Sequence, residues 1–236
     1  MKIDLIISAD DIKEEKIKDK SIVVIDMLRA TTVIITAMSN GAKRVVPFLT
    51  VEEAVAYSSS DREQFILGGE RRALKIENFD LSNSPLEYTE NVVKDKDVVI
   101  TTTNGTRTIK GCEKAKDLII GAFINAKAVV NKLIELNNEV VFVNAGTNGQ
   151  FSMDDFICAG YMIHLLSSQK QLDMTDIAFT AKNIYESHTD IISFIKDARH
   201  FNVIRTLGLE KDLEYCLKKD IINLVPIYKN GEITVV

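Results

Sequence analysis

Val98-Val99-Ile100-Thr101-Thr102-Thr103-Asn104-Gly105-Thr106-Arg107 is the stretch whose reading decides the fold. A β-branched, strand-like run breaks into small hydroxyl and amide residues, a glycine and an arginine, and a helical pattern then follows to about residue 114. Strand, polar turn and helix follow one another within twenty residues. The N–H groups at a helix start have no internal partners and carry the positive end of the helix dipole. The turn is therefore a candidate cradle for phosphate or sulfonate.

The same plan occurs twice more. Ser21-Ile22-Val23-Val24-Ile25 reads as a buried strand, Asp26-Met27-Leu28-Arg29 as its turn, and 30–40 as a helix closed by Gly41. Val140-Val141-Phe142-Val143 breaks at Asn144-Ala145-Gly146-Thr147-Asn148-Gly149 and resumes as a helix over 152–167. The Asp26 and Thr101 units are similar enough to suggest a weak internal repeat. Further strands are expected at 3–7, 44–48, 65–67 and 117–121, and helices at 51–60, 174–186, 189–198 and 209–219, with a charged helical or loop segment at 10–19. Ser84-Pro85-Leu86-Glu87 has the pattern of a helix start, with serine as cap and proline in the first turn. At the end of the chain, 224–228 and 233–236 flank Asn230-Gly231, a strong hairpin signal.

Alternating strands and helices predict an α/β fold with three α/β/α layers. Its sheet should be largely parallel but mixed, with a C-terminal antiparallel hairpin at one edge. Ligands of such sheets bind outside the carboxyl ends of the strands, where the three polar turns would converge. The chain has 236 residues, 46% of them hydrophobic, which suits one domain over 1–236 or two small α/β subdomains with the site between them. A net charge of −5 and the lack of a basic cluster argue against a nucleic-acid partner. Cys112, Cys158 and Cys216 lack metal or redox spacing and read as buried reduced thiols. The sequence offers neither a leader pattern nor a membrane-length apolar run, so a cytoplasmic protein without a membrane partner is expected, with a homodimer as the default assembly.

Several site types fail on spacing. The turns lack the Gly-Lys-Ser/Thr of a P-loop and the three glycines of a dinucleotide fingerprint. No cysteine has an arginine six positions later, since Leu118, His164 and Ile222 stand there. Three histidines are too few and too scattered for a multi-histidine zinc centre. Leu28 occupies the place of the second aspartate of haloacid-dehalogenase-type phosphatases. What remains at the turns is Asp26, Arg29, Glu70, Arg71, Asn83, Asn104, Thr106, Arg107, Asp154 and Asp155. Carboxylates suit Mg²⁺ and arginine forks suit phosphate or sulfonate, a combination pointing to phosphoryl chemistry on a small polyanion.

Structural readings stand beside these. Asp154 and Asp155 fit helix capping after Ser152, Glu70 with Arg71 fits a surface ion pair, the threonine run fits a strand, and His200 fits a packing residue. Asp26 is harder to explain away, because an acid ending a buried strand must be solvated or paired.

Taken together, the motifs resemble the 2-phosphosulfolactate phosphatase family. The stretches carrying the resemblance are Val24-Ile25-Asp26-Met27-Leu28-Arg29-Ala30-Thr31-Thr32, Gly68-Gly69-Glu70-Arg71, Phe79-Asp80-Leu81-Ser82-Asn83-Ser84-Pro85, Thr101 to Arg107, and Ala145-Gly146-Thr147-Asn148-Gly149 through Cys158-Ala159-Gly160. The resemblance implies a Mg²⁺-dependent phosphatase of coenzyme M biosynthesis, converting (R)-2-phospho-3-sulfolactate to sulfolactate and phosphate. On that expectation Asp26, Glu70 and Asp155 hold the metal and, with Arg29, form the catalytic set. Substrate binding is expected from Arg29, Arg71, Asn83, Asn104, Gly105, Thr106, Arg107, Gly146 and Thr147. Asp154 and Phe201 depart from the family's glutamate and glycine, which lowers the expectation of a role for Asp154 and His200. The alternatives are a phosphatase for another small phosphorylated 2-hydroxy acid and a non-catalytic polyanion-binding module.

Overall fold

Strand β2 (Ser21–Ile25) is buried at every position, as is β8 (Val140–Asn144), the pattern of parallel strands covered on both faces. These two lie side by side in a computed structural model that describes residues 1–59, 61–188 and 190–235. Ser60, Thr189 and Val236, which terminate the expected elements 51–60, 189–198 and 233–236, lie outside the described residues.

In chain order the first half comprises β1 (Lys2–Ile6), α1 (Glu14–Ile17), β2, α2 (Ala30–Ser39), β3 (Arg44–Pro47), α3 (Val51–Ser58), β4 (Phe65–Arg71), β5 (Leu74–Lys75), α4 (Glu90–Val93), β6 (Asp97–Thr101), α5 (Gly105–Gly111) and β7 (Asp117–Gly121). The second half comprises α6 (Ala126–Leu136), β8, α7 (Met153–Ser167), β9 (Asp173–Met174), α8 (Asp176–Ser187), α9 (Ile191–Ile195), α10 (Arg199–Thr206), α11 (Glu210–Cys216), β10 (Pro226–Lys229) and β11 (Glu232–Val235). Helix α6 was not anticipated. It buries Ala126, Val129, Val130 and Leu133 at helical spacing and ends on Asn137 in the left-handed region.

All the strands join one mixed, mostly parallel sheet in the order β5-β4-β6-β3-β11-β10-β7-β2-β8-β1-β9, within a three-layer α/β arrangement. The hairpin β10–β11 forms around Asn230-Gly231 as its sequence predicts, with both residues at positive φ. Its position corrects the expectation of an edge. β10 pairs with β7 and β11 with β3, so the hairpin fills the middle of the sheet, and Ile233 of β11 is fully buried. Alternation in 226–235 signals a hairpin but carries no information about what flanks it.

Because three antiparallel pairings separate β3 from β7, the parallel blocks β4-β6-β3 and β7-β2-β8-β1-β9 run in opposite senses along the sheet order. Chain connections cross between them reciprocally. β2 leads through α2 to β3, and β6 leads through α5 to β7. This pair of exchanges is the structural form of the weak repeat. The two helices touch each other, α2 packing on β3 and β7 and α5 on β2 and β3. Ordinary twist of roughly 20–25° per neighbouring pair accumulates to more than a right angle over the five steps from β6 to β2. The turn after β6 can therefore meet the turns after β2 and β8, although its strand belongs to the opposed block.

The expected helix at Ser84 is instead a single 3-10 turn, Pro85–Glu87, followed by the short α4. The Ser84 side chain makes no cap and donates to Asp212 at 2.6 Å, so a tertiary partner overrides the local capping signal. All three cysteines are free and buried. Among the described residues no helix is long and apolar enough to cross a membrane.

Candidate active site

Asp26 follows the last residue of β2 and is only 8% exposed, with its side chain on the wall of a cavity of about 260 Å³. Burial, with the nearby carboxylates of Glu70 and Asp154, pushes its carboxyl up to about 6, partly offset by His200. The Asp26 backbone closes the turn at both ends. Its N–H donates to the Thr31 hydroxyl at 3.2 Å and its carbonyl accepts from the Thr31 N–H at 2.9 Å.

Two further buried carboxylates are fixed by backbone amides. The Ala73 and Thr103 N–H groups donate to Glu70 Oε2 and Oε1 at 2.7 and 2.6 Å, tying β4 to the turn after β6. The Met27 and Gly146 N–H groups donate to Asp155 Oδ1 and Oδ2 at 2.9 and 3.1 Å, tying α7 to the turns after β2 and β8. Asp155 thus bridges the ends of two neighbouring strands. Ser152 makes no cap to the backbone and instead donates to Asp154, so the capping-box reading of this helix start does not describe it. Burial, Asp154 and Asp26 together hold the Asp155 carboxyl well above the usual range.

The three turns meet. Asn104 Oδ1, after β6, accepts from the Asn148 N–H after β8 at 3.1 Å. A Cβ on Gly105 would stand 2.5 Å from Ala30 Cβ and 2.8 Å from Asp26 Oδ2, so the missing side chain is what lets α5 approach Asp26. Gly146 holds a positive φ of 68°, and a Cβ there would collide with the Gln150 carbonyl. Asn83, Asn104 and Thr147 line the cavity with Asp26, Arg29 and Glu70, while Gly146 and Asp155 line an adjoining recess that also includes Asp26.

Other anticipated residues lie elsewhere. Arg71 is not on the cavity wall. It donates to the Glu70 carbonyl at 2.8 Å and the Thr101 hydroxyl at 2.9 Å, stitching β4 to β6. Thr106 is buried and locks its own turn, donating to the Thr102 carbonyl at 2.9 Å. Arg107 points from α5 toward solvent and pairs with Asp10. Arg29 does reach the cavity, but its guanidinium is committed to Asp212 at 2.5 Å and the Ala73 carbonyl at 3.0 Å; the side chains of this ion pair are 1% and 3% exposed. The peptide bond between Leu28 and Arg29 is cis.

Asp212, His200, Arg72 and Arg199 were not among the anticipated site residues. Asp212 carried a legible signal, since on α11 it shares the apolar stripe of Leu209, Leu213 and Cys216, and an acid there demands a buried partner. His200 lines the cavity rather than merely packing. Its Nε2 lies 2.6 Å from the Leu28 carbonyl, which can only accept, so Nε2 carries the proton. Arg72 and Arg199 line the same cavity, and no local pattern distinguished them from other surface arginines.

The oxygen-rich donor set of Asp26, Glu70, Asp154 and Asp155 suits a hard divalent cation, and the crowding that raises Asp26 is what such a cation would relieve. Among the described residues no three carboxylate, histidine or cysteine side chains are gathered closely enough to enclose an ion. A Mg²⁺ ion does not require such a cage, because it keeps several waters and is held by one or two carboxylates plus phosphate.

Comparison with known proteins adds an independent finding. Residues 6–231 match the family model described as 2-phosphosulpholactate phosphatase. A protein of Clostridium acetobutylicum named "Probable 2-phosphosulfolactate phosphatase" is 62% identical over 234 residues, covering 99% of this chain and 100% of the relative. A protein of the same name from Clostridium tetani is 61% identical over 231 residues, covering 98% and 99%, and one from Clostridium novyi is 55% identical over 234 residues, covering 99% and 100%.

Proposed function

The chain belongs to the 2-phosphosulfolactate phosphatase family, and from that membership we propose that it hydrolyses (R)-2-phospho-3-sulfolactate to 3-sulfolactate and phosphate with Mg²⁺. The observation that carries this reading is the convergence of three strand-end turns on one cavity floored by Asp26, with Glu70 and Asp155 fixed beside it by four backbone amides.

Asp26 is the carboxylate directed at the substrate phosphate, and it would hold the metal together with Glu70 or Asp155 through the oxygen lone pairs that their amide bonds leave free. Bound there, Mg²⁺ supplies charge neutralisation at the phosphoryl oxygens and lowers the pKa of a coordinated water. The amide bonds to Glu70 and Asp155 keep these side chains from reorienting as charge develops, which is the preorganisation electrostatic catalysis requires. Asn83 and Asn104 offer their neutral amide N–H donors to the substrate, while Asn83 Oδ1, buried without a hydrogen-bond partner among the described residues, is left to accept from water. Helix α10 contributes Val203 and Ile204 as an apolar part of the cavity wall.

Phosphate release from 2-phospho-3-sulfolactate, 2-phospholactate and phosphoglycerate, with Mg²⁺ and with chelator, tests the proposal. Preferential, Mg²⁺-dependent hydrolysis of the sulfonated substrate is expected. Equal or better turnover of the unsulfonated acids would reassign the substrate, and full activity in chelator would remove the metal.

A further inference from the structure

The cavity's supply of positive charge differs from what the arginine-rich motifs suggest. Arg29 is neutralised by Asp212, Arg71 is spent on Glu70, Leu49 and Thr101 oxygens, and Arg107 pairs with Asp10 outside the cavity. Two other cations line its wall. Arg72 forms no ion pair or hydrogen bond with any described residue, and Arg199 donates to Gln150 Oε1 at 2.9 Å without an acidic partner among them.

Arg72 is held in place by a built turn. Arg72 and Ala73 are both left-handed, at φ of 55° and 65°, a conformation unfavourable to residues with side chains. The turn is clamped by two buried groups, with the Ala73 N–H donating to Glu70 and the Ala73 carbonyl accepting from Arg29. The same Glu70 that stands beside Asp26 therefore fixes the position of Arg72. Arg199 begins α10 next to His200, whose ring is anchored on the Leu28 carbonyl at the Asp26 turn. Both arginines are exposed at the rim, whereas Asp26 and Glu70 are buried on the floor.

We infer that Arg72 and Arg199 form the subsite for the two non-reacting anionic groups of the substrate, the carboxylate and the sulfonate, while the phosphate is directed to the Asp26 floor. This rests on the function proposed above. The floor is anionic and needs a cation to accept phosphate, so it cannot serve groups that arrive without one. The rim offers two unneutralised guanidinium groups, and the substrate carries two singly charged groups besides its phosphate. Planar forks of N–H donors suit carboxylate and sulfonate oxygens. The subsite would also select against phosphate esters with a neutral remainder.

The test uses the full-length protein with Mg²⁺ and its Arg72→Gln and Arg199→Gln variants, which alter exposed side chains. Calorimetric binding of 3-sulfolactate and competitive inhibition by inorganic phosphate are measured for each. Each variant is expected to weaken 3-sulfolactate by roughly 10–100-fold, the range for losing a charge-assisted pair, while inhibition by phosphate changes less than about twofold. Unchanged 3-sulfolactate binding in both variants, or an equal weakening of phosphate, would overturn the inference. Failure of the unaltered protein to release phosphate from 2-phospho-3-sulfolactate would instead overturn the function on which it rests.

Discussion

At the scale of single residues, Asp26 joins stability to chemistry. Its folded pKa of about 6 lies above the ordinary 3.8, so the folded state holds this proton more tightly than the unfolded chain does. The group's favourable contribution is therefore present below about pH 4 and is lost as pH rises to about 6. Above that, ionisation in a buried, acid-rich site costs about 3 kcal/mol in the metal-free protein. Asp26→Asn should raise the melting temperature of metal-free protein at pH 8, flatten its dependence between pH 4 and 6, and lower hydrolysis by roughly 10²–10⁴-fold. A melting temperature at pH 8 no higher than that of the unaltered chain would refute the electrostatic cost. The Arg29–Asp212 pair behaves oppositely. Asp212→Ala strands a buried guanidinium, and a loss of about 3–5 kcal/mol in urea unfolding is expected. Residue types at the turns were legible because an acid or glycine at a strand end is conspicuous. The engagement of Arg29, Arg71 and Arg107 was not, because arginine has the same appearance in sequence whether it faces a ligand or an internal carboxylate.

At the scale of elements, the reciprocal crossovers through α2 and α5 explain why the Asp26 and Thr101 turns share a plan. Each ends a strand in one block and sends the chain into the other, and the helices meet where Gly105 approaches Ala30 and Asp26. Gly105→Ala should push the start of α5 away from the site. Hydrolysis is expected to fall at least tenfold, with a stability loss of about 1–3 kcal/mol from overpacking; activity within twofold of the parent would show that this approach does not matter. The hairpin β10–β11 has a comparable structural importance despite its place at the end of the chain. Ile233→Ala, at a fully buried position opposite Val45, should cost about 2–5 kcal/mol and lower the midpoint of a single unfolding transition. A separate early transition with the rest of the fold intact would contradict the central position. Strands such as 21–25, 117–121 and 140–144 were legible because their β-branched runs are continuous. Their order was not, because alternation and turn chemistry specify neighbours in sequence rather than neighbours in the sheet.

At the scale of the whole molecule, one cavity draws its walls from both blocks of an opposed sheet and from the helices that follow residue 190. Asp26 and Thr147 come from one block and Glu70 and Thr103 from the other, while α10 and α11 supply His200, Arg199 and the partner of Arg29. The three polar turns could be expected to converge from their shared design, whereas the contribution of α10 and α11 depends on tertiary packing that no local pattern encodes. Through this convergence the chain is proposed to act as an Asp26-centred, Mg²⁺-dependent phosphatase. The most direct test is phosphate release from 2-phospho-3-sulfolactate by the unaltered protein and by Asp26→Asn across a Mg²⁺ titration. Release that rises with Mg²⁺ in the unaltered protein and is almost absent from the variant at every concentration is expected; equal rates in the two proteins, or none in either, would overturn the proposed function.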